Sequence, residues 1–210
     1  ALGMNKAKAT DFVRSKKINT PDYFLLRNNN IDLKSVDQQI SKKFRYPCVV
    51  KPNESGSSIG ISIVNSYDEL GPAIASAFKE DKQVVLQEYI PGREITCGVL
   101  GNSGMGELQT LPPVEIISEN NFFDYDAKYF SNKTKEICPA PISDEETKIV
   151  MELAKTIHLA LGCDGLTRSD FILSKGQFYF LEINTLPGLT EQSLCPKEAK
   201  AAGISFSDFL

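Results

Sequence analysis

Arg168, Asp170, Glu182 and Asn184 stand at the open ends of one hairpin-like stretch, Arg168-Ser-Asp-Phe-Ile-Leu-Ser-Lys-Gly-Gln-Phe-Tyr-Phe-Leu-Glu-Ile-Asn184, whose middle is largely apolar. Strand side chains alternate between faces, so Arg168 shares a face with Asp170, and Glu182 with Asn184. If Ser174-Lys175-Gly176 is a three-residue loop with Gly176 left-handed, Arg168 pairs with Glu182 and all four side chains share one face. Two carboxylates and an amide oxygen on a rigid surface are hard ligands of the kind Mg²⁺ takes. A solvated hairpin face carrying a salt bridge accounts for the same four residues.

Two further segments carry chemistry. Lys51-Pro-Asn-Glu-Ser-Gly56-Ser57-Ser58-Ile-Gly60 comes directly off a strand. Its glycines admit close backbone approach, its hydroxyls and free N–H groups suit phosphate oxygens, and Lys51 can reach the same anion. The Gly-Lys-Ser/Thr ending of a P-loop is missing, and a plain Gly/Ser hairpin loop explains the segment equally well. Val84 to Ile90 then runs as a strand into Pro91-Gly92-Arg93-Glu94. Such a hinge can offer backbone groups to a planar base, with Glu94 accepting ribose hydroxyls; an edge strand with a turn is the alternative. In order, the three segments describe a nucleotide clamped between two small sheets.

The elements that must position them follow from pattern. Met4–Lys17 has helical composition, and Thr20-Pro21 opens a turn into an apolar stretch. Lys34–Phe44 and Ser66–Lys79 read as helices, the latter with Ser66 and Glu69 as a capping box. Strands are expected over 46–51, 61–64, 83–90, 94–100 and 107–117. Residues 118–137, polar and aromatic without periodicity, read as a long loop or lid. Ser143 and Glu146 form a second capping box, opening a helix with Ile149, Val150, Leu153, Ile157 and Leu161 on one stripe. The grouping of strands around separate helices predicts an α+β fold, with subdomains over 1–91 and 92–210.

Composition narrows the class. Across 210 residues, 41% hydrophobic and 24% charged content is that of a globular domain, and a net charge of −4 gives no reason to expect nucleic acid. No apolar run suggests a membrane span, and no signal peptide is visible. Five cysteines, an odd number without zinc or redox spacing, point to a reducing, cytoplasmic setting. Cys195 lies near the motifs, but a thiol nucleophile needs a basic partner. The only histidine, His158, is expected to be structural, which leaves no triad. A chain opening Ala1-Leu2-Gly3 rather than with methionine reads as a processed product or an excised part of something longer.

These segments resemble the ATP-grasp region of D-alanine–D-alanine ligases. The resemblance runs through Met4-Asn-Lys6, Val50-Lys-Pro52, Gly56-Ser-Ser-Ile-Gly60, Glu88-Tyr-Ile-Pro-Gly-Arg-Glu94, Leu111-Pro-Pro-Val-Glu-Ile116, Phe123-Asp-Tyr-Asp-Ala-Lys-Tyr129, Leu181-Glu-Ile-Asn-Thr-Leu-Pro-Gly188 and Ala202-Gly203. It covers essentially the whole chain, and the Asp-Tyr-Asp-Ala-Lys-Tyr and Glu-Ile-Asn-Thr-Leu-Pro-Gly segments are specific to that group.

The resemblance implies an ATP-grasp fold, two α+β subdomains clamping a nucleotide between antiparallel sheets. It also implies an ADP-forming ligase that makes D-alanyl-D-alanine through an acylphosphate for peptidoglycan. It places Lys6 and Lys51 on the ATP phosphates, with Gly56, Ser57, Ser58 and Gly60 folded over them. Gln87, Glu88 and Ile90 would hold adenine, and Glu94 the ribose; family members more often have Glu where Gln87 stands. Asp170, Glu182 and Asn184 would coordinate two Mg²⁺ ions, with Mn²⁺ as a substitute. Arg168 would stabilise the oxyanion and Lys128 the moving phosphoryl group. Tyr129, Ser57, Ser193 and Leu194 would line the amino-acid site together with Arg168. D-alanine and ATP are then the partners, with a homodimer in the full-length protein. Variants joining D-serine or D-lactate, and a nucleotide-binding module without ligase activity, are the alternatives. Family members carry a further domain before the Met-Asn-Lys segment, so this chain is expected to bind ATP but to ligate poorly alone.

Overall fold

A computed structural model describes residues 2–56, 59–118 and 134–210. In the first half, Tyr23–Leu26 (β1), Cys48–Pro52 (β2), Ser62–Val64 (β3) and Val84–Glu88 (β4) form an antiparallel sheet in the order β1-β4-β2-β3. Helices Leu33–Lys43 (α2) and Tyr67–Glu80 (α3) cover one face, burying Val36, Ile40, Leu70 and Ile74 against Cys48, Val50 and Leu86. Val50 pairs with Leu86 and Lys51 with Val85. With the even positions on the helix side, Val49, Lys51, Val85 and Gln87 share the other face. The capping box expected at α3 does not form. Ser66 makes no side-chain cap bond, and Glu69 accepts instead from the Asn65 backbone N–H at 2.7 Å.

The second half builds a larger antiparallel sheet from Arg93–Asn102 (β5), Met105–Thr110 (β6), Val114–Ser118 (β7), Thr134–Ile137 (β8), Leu166–Ser174 (β9) and Gln177–Asn184 (β10). Its order is β10-β9-β5-β7-β8, with β6 also on β5. The single strand expected over 107–117 is two strands. Pro112 and Pro113 lack the N–H that pairing needs, so the chain breaks there and β6 and β7 take opposite ends of β5. Thr134–Ile137, expected in a loop, pairs with β7. The remainder of that stretch, 119–133, lies outside the described residues with Lys128 and Tyr129, as do Ser57 and Ser58. Asp144–Ala160 (α4) starts at a complete Ser143/Glu146 capping box and packs Val150, Ala154 and Ile157 on Ile95, Val99, Phe171 and Phe180. Leu194–Ala201 (α5) covers the opposite face, seating Leu194 on Val114 and Ile116.

The hairpin register differs from the three-residue expectation. Lys175 and Gly176, both left-handed at φ 50° and 76°, make a two-residue turn, so Ser174 pairs with Gln177. Continued unchanged, that register would set Asp170 opposite Leu181. A bulge between Phe180 and Glu182 adds one residue, and the observed pairs are Asp170 with Glu182 and Arg168 with Asn184. Phe178 and Phe180 face the core before the bulge and Ile183 faces it afterwards, so Glu182 and Asn184 fall on the side of Arg168 and Asp170.

Lys6–Ser15 (α1) ties the halves together. Its Val13 enters the second core, while its first turn docks on the end of β2: the Lys6 and Ala7 N–H groups donate to the Asn53 carbonyl and Oδ1, each at 2.9 Å. His158 is fully buried at the end of α4, its Nδ1 2.8 Å from Thr167 Oγ1, and burial lowers its pKa. The five cysteines are free, and burial pushes the Cys48 thiol up to about 12 and Cys138 up to about 11.

Deleting Leu181 removes the extra residue and leaves Phe180, Glu182 and Ile183 in plain alternation, with Glu182 still beside Asp170 and Ile183 still in the core. That variant is expected to keep its cooperative urea transition, as is Leu181→Ala at this half-buried position, shifted by about 1 kcal/mol or less. Deleting Leu181 and Glu182 together instead turns Ile183 out of the core and is expected to lose the transition; a cooperative, native-like melt of that double deletion would refute the phase argument.

Candidate functional site

The charged face of the hairpin is organised by Arg168. Its Nε and Nη2 donate to Asp170 Oδ1 and Oδ2 at 2.8 and 2.9 Å, a bidentate fork between side chains that are both about nine-tenths buried. Thr96 on β5, the cross-strand partner of Asp170, donates its hydroxyl to Oδ1 at 2.5 Å. Burial opposes the Arg168 charge, but the Asp170 charge and hydrogen bonds outweigh it, so the guanidinium stays fully ionised.

Cations from the first half meet this face. Lys6 Nζ donates to the Ser55 carbonyl at 2.7 Å and lies 3.3 Å from Glu182 Oε2. Lys51 is buried, with its pKa lowered to about 8 by desolvation; Glu182 partly offsets that shift and Lys6 adds to it. Two lysines and one arginine therefore converge on Glu182 and Asp170 from separate elements. Gln87, also buried, shares the face of Lys51. Glu94 shares the β5 face of Thr96, since Arg93 turns the other way to fork onto Glu115 at 2.6 and 2.8 Å. Asn184 uses Oδ1 to accept from the Leu186 N–H at 3.1 Å.

Other sequence-predicted residues have positions of a different kind. Glu88 pairs with Asp22 through both backbone and side chain, and Ile90 lies where the chain passes between the sheets. Gly60 has φ 74°, and a Cβ there would crowd Pro52 and Glu80, whereas no atom of the described residues stands within 4 Å of a Cβ built on Gly56. Ser193 caps α5 in position only, its Oγ 2.9 Å from Thr190 Oγ1; Leu194 is buried beneath β7. The Cys195 thiol is pushed well up by burial and by Glu198, the reverse of nucleophile activation. Three residues were not picked out from sequence. Thr96 had a signal, two places beyond Glu94 on the same strand face. Asn53, fully buried, sat unremarked inside the glycine segment. Glu198 falls on the apolar stripe of α5, four after Leu194 and three after Cys195, where a charge is out of place.

Among the described residues no three His, Cys, Asp or Glu side chains cluster as a ready metal cage. The hairpin set offers two directly paired carboxylates and an amide oxygen, and that hard-oxygen chemistry fits Mg²⁺. Around it stand the cations that a polyphosphate would require.

Lys51 makes the charge of the site pH-dependent. Its folded pKa lies below the ordinary 10.5, so the ligand-free fold gains stability as pH rises from about 8 to 10.5 and loses it on the way down. At neutral pH the buried ammonium costs the fold about 3 kcal/mol. An anion held beside Lys51 would reverse that preference by stabilising the charge. ATP affinity is therefore expected to fall as pH rises through about 8, and Lys51→Met to bind weakly with a flat profile yet melt higher at pH 7. Calorimetric titration between pH 6.5 and 9.5 reads this, and a flat wild-type profile would contradict it.

The family model described as the D-ala D-ala ligase C-terminus matches residues 12–210. The D-alanine–D-alanine ligase of Flavobacterium johnsoniae is 44% identical over 99% of the chain and 62% of its own length, and that of Halalkalibacterium halodurans is 39% identical over 100% and 68%. The crystal structure of the VanG D-Ala:D-Ser ligase from Enterococcus faecalis superposes with a TM-score of 0.88 at 37% identity, covering 100% of this chain and 60% of that one. A Bacillus anthracis D-alanine–D-alanine ligase complexed with ATP gives 0.79 at 31% identity, over 99% and 63%. The chain thus spans somewhat over three-fifths of the first of these relatives, and it belongs to the D-alanine–D-alanine ligase family as an α+β, ATP-grasp C-terminal portion.

Proposed function

We propose that this chain is the ATP-binding and phosphoryl-transfer portion of a cytoplasmic ligase that joins two D-alanine molecules for peptidoglycan, releasing ADP and phosphate. One observation carries the reading: Lys6 from α1 and Lys51 from β2 stand with Arg168 around the paired carboxylates Asp170 and Glu182. A carboxylate becomes an acyl donor only when phosphorylation makes its oxygen a leaving group. Moving the γ-phosphoryl group is mainly positioning and neutralisation of negative charge.

In this reading the units 1–91 and 92–210 clamp the nucleotide. Gln87, Glu88 and Ile90 hold adenine, and Glu94 holds the ribose. Lys6 and Lys51 neutralise the phosphates beneath Gly56, Ser57, Ser58 and Gly60. Asp170, Glu182 and Asn184 hold two Mg²⁺ ions, or Mn²⁺, which would neutralise phosphate oxygens further. Arg168 stabilises the oxyanion, and Lys128 follows the moving phosphoryl group. Tyr129, Ser57, Ser193 and Leu194 border the amino acids, and the loop over 118–137 excludes water from the acylphosphate. The full-length protein would act as a homodimer. The VanG likeness favours one variant of this reading, in which D-serine is the second amino acid.

Phosphate release by the full-length protein, with ATP, Mg²⁺ and D-alanine, tests the reading, and D-serine in competition tests the variant. Asp170→Asn and Glu182→Gln are each expected to lower turnover by about 100-fold or more. Melting curves separate this from stability, because breaking the buried Arg168 pair costs about 3–5 kcal/mol. Nucleotide binding without amino-acid-dependent phosphate release would leave only a binding module.

A further inference from the structure

Glu198 is fully buried on α5, and neither carboxylate oxygen makes a hydrogen bond of good geometry among the described residues; the Cys195 thiol and the Gly98 backbone are its near polar neighbours there, besides Arg168 and Asp170. A glutamate in that condition is exceptional, since buried acids are almost always paired. Its location is equally specific. Helix α5 crosses the charged face of the second sheet above Gly98, and a Cβ on Gly98 would collide with Glu198 Oε2. Gly98 is the cross-strand partner of Arg168. Facing β-carbons in neighbouring strands lie only about 5 Å apart, so the carboxylate sits beside the Arg168 stem.

We propose that Glu198 is a positioning residue for Arg168, a second acid beside the arginine stem that keeps the guanidinium at the site together with Asp170. Arg168 commits Nε and Nη2 to Asp170, and a guanidinium carries five N–H donors, so donors remain for a second acid. Burial drives the Glu198 pKa up to about 8, and the Arg168 charge is the strongest influence against that rise. The Cys195 thiol and the Gly98 backbone also favour its charged form, while Asp170 disfavours it. Cys97 and Cys138, from β5 and the end of β8, feel the same carboxylate. With Glu198 in place, Arg168 is not left to Asp170 alone, and Asp170 can turn to another cation without leaving the guanidinium unpartnered in the interior.

The inference rests on the role proposed above for Arg168, so the test has one arm that does not need turnover. In full-length protein labelled with ¹⁵N-arginine, the Arg168 Nε–H signal is identified by its loss in Arg168→Lys. Glu198→Gln, isosteric and neutral, should speed exchange of that proton with water about tenfold and lower kcat about tenfold, with the KM for ATP within about twofold. Its melting temperature should hold or rise, because the burial penalty on the Glu198 carboxylate outweighs the attraction of Arg168. Glu198→Asp, which keeps the acid, should recover part of both effects. Gly98→Ala, which displaces the carboxylate without removing it, should move exchange and kcat in the same direction and serves if Glu198→Gln fails to fold. Unchanged Arg168 exchange in stable Glu198→Gln overturns the proposal, whatever happens to kcat. Accelerated exchange in a protein without D-alanine-dependent turnover supports the positioning and instead overturns the ligase reading.

Discussion

Burial of positive charge between two sheets is the constraint on which the rest of this structure depends. Lys6, Lys51 and Arg168 are each nearly excluded from water, and a buried cation persists only beside a partner. The partners are Glu182 and Asp170, which a hairpin must hold on a single face. From that requirement follow the bulge at Leu181, the Thr96 hydroxyl under Asp170, and the docking of α1 on Asn53, which carries Lys6 to Glu182. Each half can tolerate the charged seam because its apolar core lies elsewhere. One core sits behind β2 and β4 under α2 and α3, the other behind β5 and β9 under α4.

The chemistry was more legible in the sequence than the geometry that delivers it. The shared face of Arg168, Asp170, Glu182 and Asn184 could be read from alternation, yet the pairing behind it could not. A three-residue loop and a two-residue turn followed by a bulge place the same residues on the same side, because each keeps Asp170 and Glu182 in phase. The bulge is muted in sequence because Leu181 continues an apolar run. Only the jump of buried positions from Phe180 to Ile183 betrays it. The break of one expected strand into β6 and β7 was written in Pro112-Pro113, whose effect depended on β5 being long enough to pair with both pieces. Ser66 and Glu69 have the same spacing as Ser143 and Glu146, but only the second pair closes a box, because Glu69 finds the Asn65 backbone first.

Lys51 shows how placement alters the meaning of a residue. At the end of a strand, before a glycine segment, a lysine reads as a phosphate ligand. Buried on the open face of the first sheet, it is also a destabilised cation. Such a charge gives a ligand an advantage, since an arriving anion relieves a penalty already present in the empty fold. Stability forgone without ligand becomes affinity with it.

Glu198 extends the same logic to negative charge and explains why Gly98 is a glycine. In the middle of β5 a residue without a side chain weakens the strand, and no turn or positive φ is needed there. Its value lies in the space it leaves beside Arg168, which α5 fills with a carboxylate rather than a hydrophobe. Leu194 and Cys195 on the same helix would have been cheaper models for that position. A buried acid over a strand glycine, next to an arginine already forked onto one acid, is an arrangement that packing alone does not select.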